Sequence, residues 1–333
     1  MDPGGFFGRS TRGRAIRARK AAIPGNRAVE NGGKNGPDRR GKCGQVGRNA
    51  APAPPRFKKK PPEDHNSRNM NSFYLLRQMV ARNIQSRFRG SMLGWLWNFL
   101  LPLLMLTVYT VVFGGFFKSR WGADIGENKM IFAVALFSGI TLYNIFSESV
   151  AISTSCVTNN VSYVKKVRFK LELLPLSQVL STFLMSLSWL LLLLVCSVLL
   201  FRTVRWTWML LPFTLLPLVL FSAGVAFFTS SLGVYFRDLQ YLIGVLLQML
   251  FFLSPIFYRL GSLPERYQKM LIYNPMVWFI ELNRGVLFYR LLPEYSALPG
   301  ATSCLLCCLL GGGVFGAGWL WFNQTKRGFG DVL

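Results

Sequence analysis

Histidine occurs once in the 333 residues, at His65, and acids number 14 against 38 lysines and arginines. No D-x-D is present. Enzymes usually work through clustered carboxylates, a histidine or a metal site, so the sequence predicts no catalytic residue, no metal site and no cofactor held by this chain. A complete phosphate-binding loop is also missing: GPDRRGKC (36–43) puts Cys43 where the magnesium-binding hydroxyl belongs, with no strand before it or helix after it. The six cysteines lie mostly in apolar runs without a short secreted framework, and read as free thiols. Cys304 and Cys307 form a C-x-x-C, but without a nearby histidine or carboxylate the spacing carries no metal or redox chemistry.

Charge of either sign is scarce, at 16% of residues, while 51% are hydrophobic and 14% aromatic. That balance describes an integral membrane protein. The net charge of +24 would fit a nucleic-acid partner if it were spread over a fold. Instead, residues 1–69 carry 17 cations against 5 acids, and residues 70–333 carry 21 against 9. Half of the excess sits in one fifth of the chain, which has no apolar periodicity. No nucleic acid is expected as a partner. Residues 1–69, rich in Gly, Arg, Asn and Pro, are expected to be a disordered basic extension; they lack the apolar core of a signal peptide.

A helix rises about 1.5 Å per residue, so about 20 apolar residues cross the hydrocarbon core. Six runs qualify: 93–117, 130–151, 178–201, 208–232, 239–258 and 302–322. Pro102, Pro212 and Pro217 predict local kinks. Ahead of the first run, Phe73, Leu76, Met79 or Val80, Ile84 and Phe88 recur at helical spacing, with Arg77, Arg82, Arg87 and Arg89 largely off that stripe. This is the pattern of an amphipathic helix lying in the membrane interface, and equally of a plain positive-inside anchor, the two being compatible.

If that basic helix is cytoplasmic, six spans return the C-terminus to the same side. Eleven cations of residues 70–333 then lie inside and ten outside, five of the ten on the long segment 259–300, where charge weighs less. Within that segment Ser262 with Pro264, and Asn274 with Pro275, read as helix starts. The apolar stretch after Asn274 is too short to cross, which predicts two short re-entrant helices in the outer leaflet. Aromatics crowd this side: Phe117 and Trp121 after the first run, then Tyr258, Trp278, Phe279 and Tyr289. Trp and Tyr favour the headgroup level in any membrane protein, which accounts for most of them; their flat faces also suit sugar rings, so they are candidate gate and glycan contacts. Glu148 and Glu281 are the acids expected at membrane depth, either as carriers of a proton or as carboxylates paired with a neighbouring Arg or hydroxyl. Gly312 and Gly316 have the spacing of close helix packing, within one protomer or at a dimer seam.

Six segments carry a family likeness: RFRGSMLGWLWNFLLPLLMLTVYTVVFGGFFKSRW (87–121), VKKVRFKLELLPL (164–176), YFRDLQ (235–240), LFFLSPIFY (250–258), YNPMVWFIELNR (273–284) and the terminal FGDVL (329–333). In their order the chain resembles the membrane subunit of bacterial ABC exporters for polysaccharides, the O-antigen, capsule and teichoic-acid permease family. The resemblance implies an all-α six-span permease in the bacterial inner membrane, both termini cytoplasmic. It also implies a homodimer carrying a lipid-linked polysaccharide through a central channel amid membrane lipids. ATP and magnesium would be used by a separate nucleotide-binding subunit. It makes Lys165, Lys166, Arg168, Phe169 and Lys170 the docking elbow for that ATPase, residues 70–89 the interface helix, and residues 262–288 the outer gate. Met70 begins a sequence of ordinary family length, so residues 1–69 are read as a possible mis-assigned start. An ABC permease for another lipid or drug, and a proton-coupled carrier using Glu148, are the alternatives.

Overall fold

A computed structural model describes residues 72–112, 129–164, 169–292 and 295–333. The basic front segment 1–69 lies outside the described residues, as do Lys165, Lys166, Arg168, Phe117 and Trp121. The described residues are helical and carry no strand.

The helices run in order as α1 (Ser72–Phe88), α2 (Trp97–Tyr109), α3 (Lys129–Thr154), α4 (Val161–Val164), α5 (Leu173–Phe201), α6 (Leu211–Tyr235), α7 (Leu239–Leu253), α8 (Glu265–Leu271), α9 (Pro275–Leu287), α10 (Ala301–Thr325) and α11 (Phe329–Val332). Five stretches are long and apolar enough to cross a membrane: Gly94–Val112, Met130–Thr154, Leu173–Phe201, Trp206–Tyr235 and Ala301–Val332. The run expected over 239–258 is a shorter helix, because α7 stops at Leu253. Ser254 turns extended, with ψ 148°, ahead of Pro255. A residue before proline is pushed out of the helical region, and proline has no N–H to continue the ladder. Pro102 and Pro217 do lie inside α2 and α6. Pro212 instead occupies the first turn of α6, where a missing N–H is harmless.

α3 is the hub of the bundle. It packs against α5, α6, α7 and α9, and its apolar face is buried from Phe132 to Val150. α2 and α7 are the opposite case: Pro102 is the buried residue of α2, and α7 has none. The most extensive seam joins α6 and α10. A Cβ on Gly224 would stand 2.4 Å from the Val314 carbonyl, and one on Gly318 2.2 Å from the Gly224 carbonyl. Gly311, two turns before Gly318, faces the Pro217 carbonyl in the same way. Within the protomer, then, Gly311 and Gly318 make the close approach, while Gly312 and Gly316 face open space.

α9 starts as its sequence suggests: the Asn274 side chain accepts the Met276 N–H at 2.9 Å, with Pro275 in the first position. α8 begins at Glu265 with Pro264 in the capping position, so the expected start at Ser262 is displaced by two residues.

Candidate functional site

The polar chemistry of the described residues gathers in three places. The first surrounds the elbow. Tyr163, on α4, meets Phe169 with ring centroids 4.7 Å apart. Its hydroxyl accepts a hydrogen bond from Arg82 of α1 at 2.6 Å, and the same guanidinium lies 5.5 Å over the ring. Lys170 is exposed and donates to the Ser72 hydroxyl at 2.7 Å. Glu172 pairs with Lys326, just past the end of α10, and Lys326 also donates to Asn323 at 2.7 Å. Beneath these contacts an apolar cluster joins Met79 of α1, Leu173 and Leu174 of α5, Phe322 of α10 and Phe329 of α11. The described residues around the elbow, Tyr163, Phe169, Lys170 and Glu172, are thus braced on α1 and on the C-terminal helices at once.

On α1 the residues buried within the protein are Met79, Val80 and Asn83, whereas Phe73 is 74% exposed. Arg77, Arg82 and Arg89 are exposed. Arg87 turns the other way, pairing with Glu148 of α3 and donating to the Thr182 hydroxyl of α5 at 3.0 Å.

The second place is a groove between α2, α3 and α7. A cavity of about 390 Å3 is lined by Tyr109, Tyr143, Asn144, Glu148, Trp189 and Gln248 among others. The Tyr143 hydroxyl donates to the Leu247 carbonyl. The sequence had singled out only Glu148 of this set. A signal was available: Ile140, Tyr143, Asn144, Ser147, Glu148 and Ala151 recur at helical spacing on one face.

The third place is α9. Arg284 is 0% exposed and donates to the Ala135 and Ile256 carbonyls, to the Ser138 hydroxyl, and to the Pro255 carbonyl at 2.5 Å. Its charge is answered by Glu281 at 3.7 Å, whose other oxygen accepts from the Tyr295 hydroxyl at 3.0 Å. Burial, and then the Glu281 carboxylate, push the Tyr295 phenol above its ordinary range, so it stays a donor. One residue earlier, Asn283 donates to the Thr214 carbonyl and accepts from its hydroxyl at 2.9 Å, tying α9 to α6. The carbonyls of Val286 and Leu287, unpaired at a helix end, accept from Thr207 and Trp208.

The aromatic candidates divide. Phe279 is a core residue at 0% exposure, packed 5.1 Å from Phe221, and offers no face to a solute: on α9 it shares the buried side with Met276, Ile280 and Asn283. Tyr258, Trp278 and Tyr289 are half-buried. Tyr258 donates to the Leu253 carbonyl, Trp278 to the Ile272 carbonyl, and the Arg290 guanidinium lies 5.2 Å over the Tyr289 ring. Both acids expected at membrane depth are paired, Glu148 with Arg87 and Glu281 with Arg284 and Tyr295.

The sequence itself has known relatives. The sequence profile described as ABC-2 type transporter matches residues 74–288. The O-antigen export system permease protein RfbA of Myxococcus xanthus is 31% identical over 229 residues, covering 67% of this chain and 84% of that protein. An O-antigen export system permease protein RfbA of Klebsiella pneumoniae is 27% identical over 271 residues, 78% of this chain and 95% of its own length. The polysialic acid transport protein KpsM of Escherichia coli is 28% identical over 209 residues, 62% of this chain and 78% of its own. With the family match running from α1 through α9, the chain belongs to the ABC-2 type transporter family.

Proposed function

We propose that this chain is the permease subunit of an exporter that moves a lipid-linked polysaccharide outward across the bacterial cytoplasmic membrane, driven by ATP hydrolysed with magnesium on a separate subunit. The observation that carries the reading is the α2–α3–α7 groove. An amide or carboxylate inside a membrane is costly unless it meets a partner, water or a solute. Asn144 and Gln248 share an open cavity with Tyr109, Tyr143 and Trp189. Amides for hydroxyls and aromatic faces for C–H surfaces are what a sugar chain can use without tight sequence preference. The relatives named for O-antigen export and polysialic acid transport point to the same cargo class.

In this reading α7 and the residues after it complete a sixth crossing, α8 and α9 form a re-entrant outer pair, and both termini are cytoplasmic. Among the helices longer than ten residues α2 and α7 are the least buried, and both flank the groove, which favours closure by a second copy into a central channel. The elbow, with Lys165, Lys166, Arg168, Phe169 and Lys170, receives the ATPase. Its bracing on α1 and α10 gives a push there two routes into the bundle.

Neutralising Lys165, Lys166, Arg168 and Lys170 together is the test, scored by co-purification of the ATPase and by glycan export in vesicles. Loss of both is expected. Retained association with changed topology alone would show that the cations are only a membrane anchor. Export that persists without ATP and collapses with a protonophore would replace the reading with a proton-coupled carrier.

A further inference from the structure

A smaller cavity, of about 150 Å3, lies along the same α3–α7 seam as the groove. Asn144, Ser147, Ala151 and Thr154 follow at helical steps on α3, and Phe251, Gln248, Gly244 and Gln240 do so on α7. The first three of each series line the groove, and the last lines the small cavity. The two spaces are therefore stacked along one pair of helix faces, the small one at the elbow-side end.

The lining of the small cavity is of one chemical kind. Thr154, Ser155, Thr158, Asn159, Arg237 and Gln240 supply hydroxyls, amides and a guanidinium, and no acid is among them. Part of this set is already committed. Thr154 donates to the Val150 carbonyl, Thr158 to the Ser155 carbonyl, and the Asn159 amide to the Ser155 hydroxyl at 3.2 Å. That last bond leaves the Ser155 proton free to point into the space. Among the described residues Arg237 makes no ion pair or hydrogen bond, and neither does the Gln240 side chain. Gly233 forms the floor, where α6 and α3 touch: a Cβ there would stand 2.1 Å from the Thr154 carbonyl.

An acid-free space with an uncommitted guanidinium, a free hydroxyl proton on Ser155 and the Gln240 amide selects an anion with several acceptor oxygens. Arginine and phosphate match as two parallel charge-assisted hydrogen bonds, which a lysine cannot reproduce. We propose that this cavity binds a lipid-borne phosphate, with Arg237 as the anchoring cation and Ser155 and Gln240 as further donors. Building on the function proposed above, the phosphate joining the cargo to its lipid would seat here, with the first sugars entering the groove on the same helix faces. A bilayer phospholipid offers the same chemistry and is the other source.

The test is binding to the full chain purified in a phosphate-free maltoside detergent, followed by thermophoresis. The probes are farnesyl pyrophosphate, farnesol and dioleoylphosphatidylglycerol. Farnesyl pyrophosphate is expected to bind at least tenfold more tightly than farnesol. R237Q should abolish that preference, S155A/Q240A should reduce it severalfold, and R237K should keep part of it. A wild-type protein without the preference, or an R237Q protein that keeps it with an unchanged unfolding temperature, overturns the proposal. Competition by phosphatidylglycerol that R237Q removes identifies the bilayer as the source; its failure to compete identifies the cargo linkage. Because the ATPase is absent from this measurement, failure of the site is distinguishable from failure of the transport reading, which the elbow variants decide.

Discussion

Arg284→Met removes the cation that holds α9 against the bundle, and the size of its effect can be bounded from its contacts. The guanidinium donates four hydrogen bonds, to Ser138, Pro255, Ala135 and Ile256, from a fully buried position. Side-chain hydrogen bonds within membrane proteins average about 0.6 kcal/mol, which sets a floor near 2 kcal/mol for the four. Removing one partner of a buried ion pair costs about 3–5 kcal/mol, because the other charge is left behind, and this sets the ceiling. Glu281 is only partly stranded, since its carboxylate keeps the Tyr295 hydroxyl and is 31% exposed. The Ala135 carbonyl also keeps the Ser138 hydroxyl at 2.6 Å. The groups that lose most are the Pro255 and Ile256 carbonyls, which follow the end of α7 and have no helix ladder to fall back on. We expect a loss of about 2–5 kcal/mol, read from reversible unfolding of the purified protein in mixed micelles of rising denaturing-detergent content. Arg284→Lys should recover less than half, because one ammonium cannot span carbonyls on two elements. A methionine variant within about 1 kcal/mol of wild type would refute the view that α9 is mounted by this side chain.

Three further outcomes follow from the same contacts. Reversing either member of the Glu172–Lys326 pair (E172K or K326E) is expected to lower export per ATP hydrolysed severalfold, and the E172K/K326E double swap to restore most of it; paired ATPase and vesicle-export assays check this, and a swap without recovery would show that the brace does not carry force. Glu148→Gln should keep ATP-driven export within about threefold and leave it insensitive to a protonophore, because Arg87 retains the Thr182 hydroxyl and an exposed or half-exposed ion pair is worth about 0–1 kcal/mol. Gly318→Ala should destabilise by about 1–3 kcal/mol, since its new methyl meets the Gly224 backbone rather than a movable side chain, whereas Gly312→Ala should be neutral or stabilising by about 0.5–1 kcal/mol; thermal unfolding of the two variants separates them.

Some of this protein was written locally in the chain. Apolar run length set the membrane class and most of the long helices, because crossing hydrocarbon is a property of about 20 consecutive residues. The Asn274–Pro275 start of α9 was equally legible, since a cap bonds its own helix two residues on. The early end of α7 was also written locally, although the apolar run was read past it to Tyr258: Pro255 stands in the run, and its effect on Ser254 is steric and local. Other features needed the third dimension. The glycine pattern pointed to Gly312 and Gly316, but the side of α10 that meets α6 carries Gly311 and Gly318, and no single-helix periodicity fixes which side has a neighbour. Arg284 counted as one more outer cation until α3 and the end of α7 supplied carbonyls for it from 28 to 149 positions away. Arg87 and Glu148, Glu172 and Lys326, and the stacked cavities of the α3–α7 seam likewise arise only when distant segments meet. A charge inside the bilayer has few solvents besides the protein itself, so its meaning is decided by whichever groups the fold brings within hydrogen-bonding distance.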